Sequence, residues 1–146
     1  MDRYLAVGAQ TGQIRTHSGL RVSGAWARGV VNAFEALGLD AEALCEQIGA
    51  DLAIFTDTSS RPPRDALGRF WRAALAESGD RHLGISAGDA WEPRADHLVI
   101  LLLTSAERLG EGLEASLRYQ ELMSHGRVVT LEAHPDHHVL QINKVE

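Results

Sequence analysis

Gly126-Arg-Val-Val-Thr-Leu-Glu-Ala-His-Pro-Asp-His-His-Val-Leu-Gln-Ile142 changes the rhythm of the chain from helical to extended. Val129, Leu131 and Ala133 alternate with Val128, Thr130 and Glu132, the period of two expected of a β-strand with one apolar face. Pro135-Asp136 occupies the middle of a tight turn, and the returning strand carries Leu140 and Ile142 on its apolar side. A lone hairpin is marginal in water, so that side must lie on helices or join other strands. Before Gly126 the chain reads mostly as helix and loop, so the expected class is α+β: four or five helices followed by a C-terminal antiparallel β-hairpin.

Working back toward the N-terminus, Leu109, Leu113 and Leu117 recur four apart, with Leu122 and Met123 beyond, behind the capping-box spacing Thr104-Ser-Ala-Glu107. One long helix is expected there, running to about His125-Gly126. The apolar run Leu98 to Leu103 fits either a buried strand or a buried helix. His82 to Gly88 reads as one or two helical turns. Pro62-Pro63 opens a helix with Leu67, Phe70, Trp71, Ala74 and Leu75 as its buried face, ended by Gly79. Asp51 to Arg61 is polar and turn-rich. Asp40 caps a short helix holding Leu44 and Ile48, and Ser23 caps one with the stripe Trp26, Val30, Phe34 and Leu37, stopped by Gly38. Residues 1–20 show no sustained period and are expected to form a flexible arm, leaving 21–146 as a single helix-rich domain.

Composition narrows the function. The chain has 146 residues, 14 basic and 20 acidic, a formal charge of −6, and 45% hydrophobic residues, enough for one domain with its own core. An acidic chain is a poor direct partner for nucleic acid or an anionic membrane. Cys45 is the only cysteine, which excludes an internal disulfide and a Cys-rich zinc site and suits a reducing cytoplasm. No stretch has the length of a transmembrane helix, and the N-terminus does not read as a signal peptide.

Four local patterns carry possible chemistry. Gly84-Ile-Ser-Ala-Gly88 matches the G-x-S-x-G pattern of a hydrolase elbow, which makes Ser86 the nucleophile of the rival, enzymatic reading; the required preceding strand is missing. Gly110-Glu-Gly112-Leu-Glu-Ala115 resembles a dinucleotide fingerprint but lies inside a helical stripe, with Glu111 where phosphate would sit. His134, Asp136, His137 and His138 are residue types that ligate zinc, nickel or copper. Adjacent strand residues face opposite ways, so an exposed polar turn is expected, with no metal and no cofactor. Cys45 has no local activator and reads as packing. The candidate ligand-binding residues are Trp91, outside any periodic face, His97 at the mouth of the apolar run, and Arg118 and Tyr119 near the end of the long helix. No catalytic residue is expected.

In their order along the chain, several segments resemble the N-terminal effector-binding domain of AraC-type bacterial transcription regulators, in the branch that responds to ornithine and other amino acids. They are Val22-Ser through Leu37-Gly-Leu-Asp40, Arg61-Pro-Pro, Phe70-Trp71, Ser78-Gly-Asp80, Leu83-Gly-Ile-Ser-Ala-Gly88, Leu101-Leu-Leu-Thr-Ser105, Leu109-Gly-Glu-Gly-Leu113 and Leu117-Arg-Tyr119. The resemblance implies a sensor of a small metabolite, an amino acid or derivative among the effectors it allows. It also implies a homodimer, and DNA contact only through a C-terminal helix-turn-helix domain that would lie beyond Glu146, this chain then being an incomplete piece of its domain. It transfers no effector-binding motif, so the four ligand residues stand on their chemistry alone. A pure oligomerisation module is the third reading.

Overall fold

The computed structural model describes residues 19–92, 98–123, 125 and 127–144, which belong to two compact units, His17–Arg94 and Ala95–Glu146 with the N-terminal stretch. The 1–20 arm lies almost wholly outside the described residues.

The first unit holds five helices: α1 Gly24–Ala36, α2 Ala41–Gln47, α3 Ala53–Thr56, α4 Arg64–Ser78 and α5 Leu83–Asp89. Their ends follow local chemistry. The Ser23 hydroxyl accepts from the Trp26 N–H at 3.5 Å, and the Asp40 carboxylate accepts from the Glu42 and Ala43 N–H groups at 3.0 Å. Gly79 closes α4 in the left-handed conformation (φ 63°), where a Cβ is costly. The segment before α1 is tied to the one before α4: Val22 N–H donates to the Pro62 carbonyl at 3.0 Å and Arg64 N–H to the Leu20 carbonyl at 2.9 Å.

Phe34 of α1, Phe55 of α3 and Phe70 of α4 are fully buried and meet ring to ring, Phe34–Phe70 at 5.5 Å and Phe55–Phe70 at 5.1 Å, with Trp71 edge-on to Phe34 at 4.7 Å. Burying three such rings from three helices contributes strongly to the cohesion of this unit. The sequence reading missed α3. Asp51 Oδ1 accepts from Ala53 N–H at 2.8 Å, and Ser60 Oγ donates to the carbonyls of Ile54 and Asp57, so the polar side chains of this segment fold it back on itself and seat Phe55. Leu75, expected to be buried, is 46% exposed, because its row on α4 runs from buried Leu67 past partly buried Trp71 into solvent.

The second unit holds α6 Leu98–Ser105, α7 Leu109–Arg118, α8 Gln120–Met123, and the antiparallel pair β1 Arg127–Ala133 and β2 His138–Lys144. The run Leu98 to Leu103 is therefore helix. The single long helix expected behind Thr104-Ser-Ala-Glu107 is instead two pieces, α7 and α8, and it starts only at Leu109. Thr104 and Ser105 end α6, where Thr104 Oγ1 donates to the Ile100 carbonyl at 2.8 Å instead of capping a new helix; the chain breaks again at Tyr119. The most buried positions of α7 are Gly112 and Ser116; in the leucine stripe Leu113 and Leu117 are half-buried and Leu109 is 70% exposed. Gly112 permits the approach, since a Cβ there would stand 3.1 Å from Leu103 Cα and 3.2 Å from Ala106 Cβ.

The hairpin follows the expected register, pairing Val129 with Ile142 and Leu131 with Leu140, and His134 N–H donates to the His137 carbonyl at 2.8 Å across Pro135-Asp136. Gln120 stands in for a third strand at Val129: its Oε1 accepts from the Val129 N–H at 2.8 Å and its Nε2 donates to the Val129 carbonyl at 3.4 Å. Among the described residues, eight helices and a two-stranded antiparallel sheet make the class α+β, as expected. Among the described residues no helix is long and apolar enough to cross a membrane.

Candidate functional site

Trp91 lies just beyond α5, its backbone N–H donating to the Gly88 carbonyl at 3.2 Å. Its indole covers Gly29 of α1, where a Cβ would overlap the ring, and meets Trp26 at 5.0 Å with a 37° tilt. Gly29 is thus the bare spot on α1 that admits the ring, and the partly buried Trp91 extends the core cluster. Arg118 and Tyr119 are adjacent in the second unit, at the end of α7, and both are exposed, Tyr119 at 44%. His97 lies outside the described residues. Of the three that are described, Arg118 and Tyr119 share one unit and Trp91 belongs to the other.

Ser86 sits in the middle of α5, and its hydroxyl donates to Asp80 Oδ2 at 2.6 Å, while Asp80 Oδ1 accepts from the His82 N–H at 2.7 Å. The Ser86 hydroxyl, then the His82 N–H and the His82 charge, hold the Asp80 carboxyl below its ordinary 3.8. Asp80 therefore forms a turn at His82, the residue before α5, and ties that turn to Ser86 within the helix. A nucleophile elbow needs a strand into the serine and an imidazole on Oγ; α4 and a turn precede α5, and no imidazole meets Ser86 Oγ among the described residues. Cys45 is 2% exposed; burial first, then the charges of Asp51 and Glu42, push its thiol from 9.0 up to about 11, the opposite of an activated thiolate.

At the hairpin turn, His134 and His137 stack face to face at 4.5 Å and 13°, His137 Nδ1 lies 2.7 Å from Asp136 Oδ1, and His134 Nε2 lies 3.7 Å from Glu132 Oε2. Parallel rings do not aim their nitrogen lone pairs at one point, and the described residues contain no group of three metal-ligating side chains.

One feature of the first unit escaped the sequence reading. Gln47 and Ile48 at the end of α2 face Arg69, Arg72 and Ala73 of α4 across an open depression of about 470 Å³. Arg69 Nη1 donates to the Ile48 carbonyl at 3.4 Å, and Arg72 Nη1 lies along α4 over Gly68, 3.7 Å from where a Cβ would be. The readable signal was two arginines three apart on the side of α4 opposite its core residues Ala66, Leu67, Phe70 and Ala74.

None of the curated proteins matches the chain. Residues 38–145 match the family model described as the arabinose-binding domain of AraC transcription regulator, N-term, a span that takes in every element from α2 to β2. The chain belongs to the family of arabinose-binding N-terminal domains of AraC transcription regulators, a ligand-sensing regulatory domain family.

Proposed function

We propose that the chain is the effector-sensing, self-associating part of a cytoplasmic bacterial transcription regulator, carries out no catalysis of its own, and governs a C-terminal helix-turn-helix domain. The proposed effector is a small metabolite of the amino-acid class, in keeping with the ornithine-responsive branch that the sequence resembles. The observation that carries the reading is the family match over residues 38–145, which includes elements of both compact units. Trp91, His97, Arg118 and Tyr119 are proposed to contact the effector, Trp91 offering an indole face and Arg118 a guanidinium.

Physically, the effector works by differential affinity. A ligand that binds one arrangement of the domain more tightly than another shifts the population toward it, and the shift cannot exceed that difference in binding free energy. Moving an equilibrium from 1:99 to 99:1 would need about 5.5 kcal/mol of preference.

The test is promoter output from a regulator carrying this chain and the coding sequence downstream of it, measured across a panel of amino acids and related metabolites. A response to one of them that is lost in Trp91→Ala or Arg118→Gln supports the reading. No response to any metabolite, together with a constant dimer by light scattering, would favour an oligomerisation module instead.

A further inference from the structure

We propose that the depression between α2 and α4 binds the carboxylate group of a small organic molecule, with Arg69 and Arg72 as the binding groups. The proposal rests on the sensing reading for its regulatory consequence; the binding itself does not depend on it.

Three observations carry it. First, α4 sets Arg69 and Arg72 three residues apart, so two guanidinium forks open on one side of the helix, with the Gln47 side chain facing them from α2. Second, among the described residues neither arginine has a carboxylate within 4.0 Å, in a chain with 20 acidic residues and a net charge of −6. Two neighbouring like charges repel, and an oxyanion between them relieves that repulsion while accepting paired N–H bonds from each fork. Third, Ile48 and Ala73 line the same depression and place apolar side chains beside the polar heads. Those side chains reward a carbon skeleton and offer nothing to inorganic phosphate, which separates the two oxyanion sources. The Ile48 carbonyl, held by Arg69 at 3.4 Å, keeps that guanidinium at the rim.

The probe is succinate, whose two carboxylates can meet the two forks, titrated into the isotope-labelled 146-residue chain and followed by amide chemical shifts. Saturable shifts are expected at Gln47, Ile48 and Gly49 and from Arg69 to Ala73. R69Q and R72Q should each weaken binding about tenfold or more, as expected for loss of a charge-assisted pair. R81Q, which removes an exposed arginine outside the depression, should leave it unchanged. Inorganic phosphate should bind about tenfold more weakly than succinate.

Absence of saturable shifts, or shifts in R72Q equal to those of the wild type, overturns the site. Equal binding of phosphate overturns the assignment to an organic carboxylate, and equal weakening by R81Q reduces the effect to net charge. The two readings fail separately. A chain that binds succinate through Arg72 but whose promoter ignores every metabolite retains this site and loses the sensing role. A promoter response that R69Q and R72Q leave intact retains the sensing role and removes this depression from it.

Discussion

Replacing Gly29 by alanine tests the packing of the first unit because two opposing terms meet at one methyl group. In a helix interior, glycine to alanine ordinarily stabilises by about 0.5–1 kcal/mol, since the unfolded backbone loses freedom. Here the new Cβ would overlap the Trp91 indole, so the ring must leave its place against Trp26, where the two rings sit at 5.0 Å. Losing that ring contact costs about 0.5–1.5 kcal/mol. Re-exposing about 100 Å² of indole, half of what such a ring buries, costs about 2.5 kcal/mol at about 25 cal/mol/Å². The loss exceeds the gain, and Gly29→Ala should destabilise by about 2–3.5 kcal/mol. In a Trp91→Ala background the overlapping ring is gone, and the same substitution should stabilise by about 0.5–1 kcal/mol. Urea unfolding followed by circular dichroism reads both, and fluorescence of Trp26, Trp71 and Trp91, all within residues 19–92, reports this unit alone. If Gly29→Ala shifts stability by the same amount and sign in both backgrounds, the placement of Trp91 over α1 is wrong.

Four further outcomes follow from other contacts. Gly24→Ala should destabilise by about 1–3 kcal/mol in thermal melts, because a Cβ would press on the backbone carbonyls of Asp57, Thr58 and Ser60, which cannot swing aside as a side chain can. Gln120→Ala should expose the Val129 edge and speed its amide exchange about fivefold, the equivalent of about 1 kcal/mol; unchanged protection would mean that the amide side chain does not hold β1. Cys45 should resist disulfide-exchange reagents at neutral pH until the chain unfolds. Its folded pKa, raised to about 11 above the ordinary 9.0, means that its stabilising contribution is complete below pH 9.0 and is lost as pH rises toward 11, a loss that Cys45→Ala should abolish. The depressed Asp80 pKa works in the opposite sense: its contribution is present above 3.8 and is lost as pH falls through the lower folded value. Ser86→Ala should return the Asp80 carboxyl toward 3.8 in a carbon-detected titration, and should leave the chain's background ester hydrolysis unaltered.

Local periodicity and capping carried most of the secondary structure. Asp40, Ser23 and Gly79 mark their helix boundaries because a cap is an interaction between residues two or three apart, and Val129 through Ile142 reads as a hairpin because strand alternation and turn chemistry are equally short-ranged. The resemblance of ordered segments to AraC effector domains was likewise legible in the chain, and the match over residues 38–145 bears it out at the level of the family. What a neighbour contributes was not legible. Leu98 to Leu103 has no decisive period, so the choice of helix is set by what it packs against, including the close approach at Gly112. Phe55 looked like part of a polar loop, and only the rings of Phe34 and Phe70, distant in the chain, make a buried place for it. The arginine pair on α4 was readable as a spacing, but the lack of a carboxylate within 4.0 Å of it among the described residues and the facing end of α2 are products of folding. Short-range hydrogen bonds and side-chain alternation are written in consecutive residues, whereas burial and the shape of a depression depend on which distant segments meet, and that is decided by the packed chain as a whole.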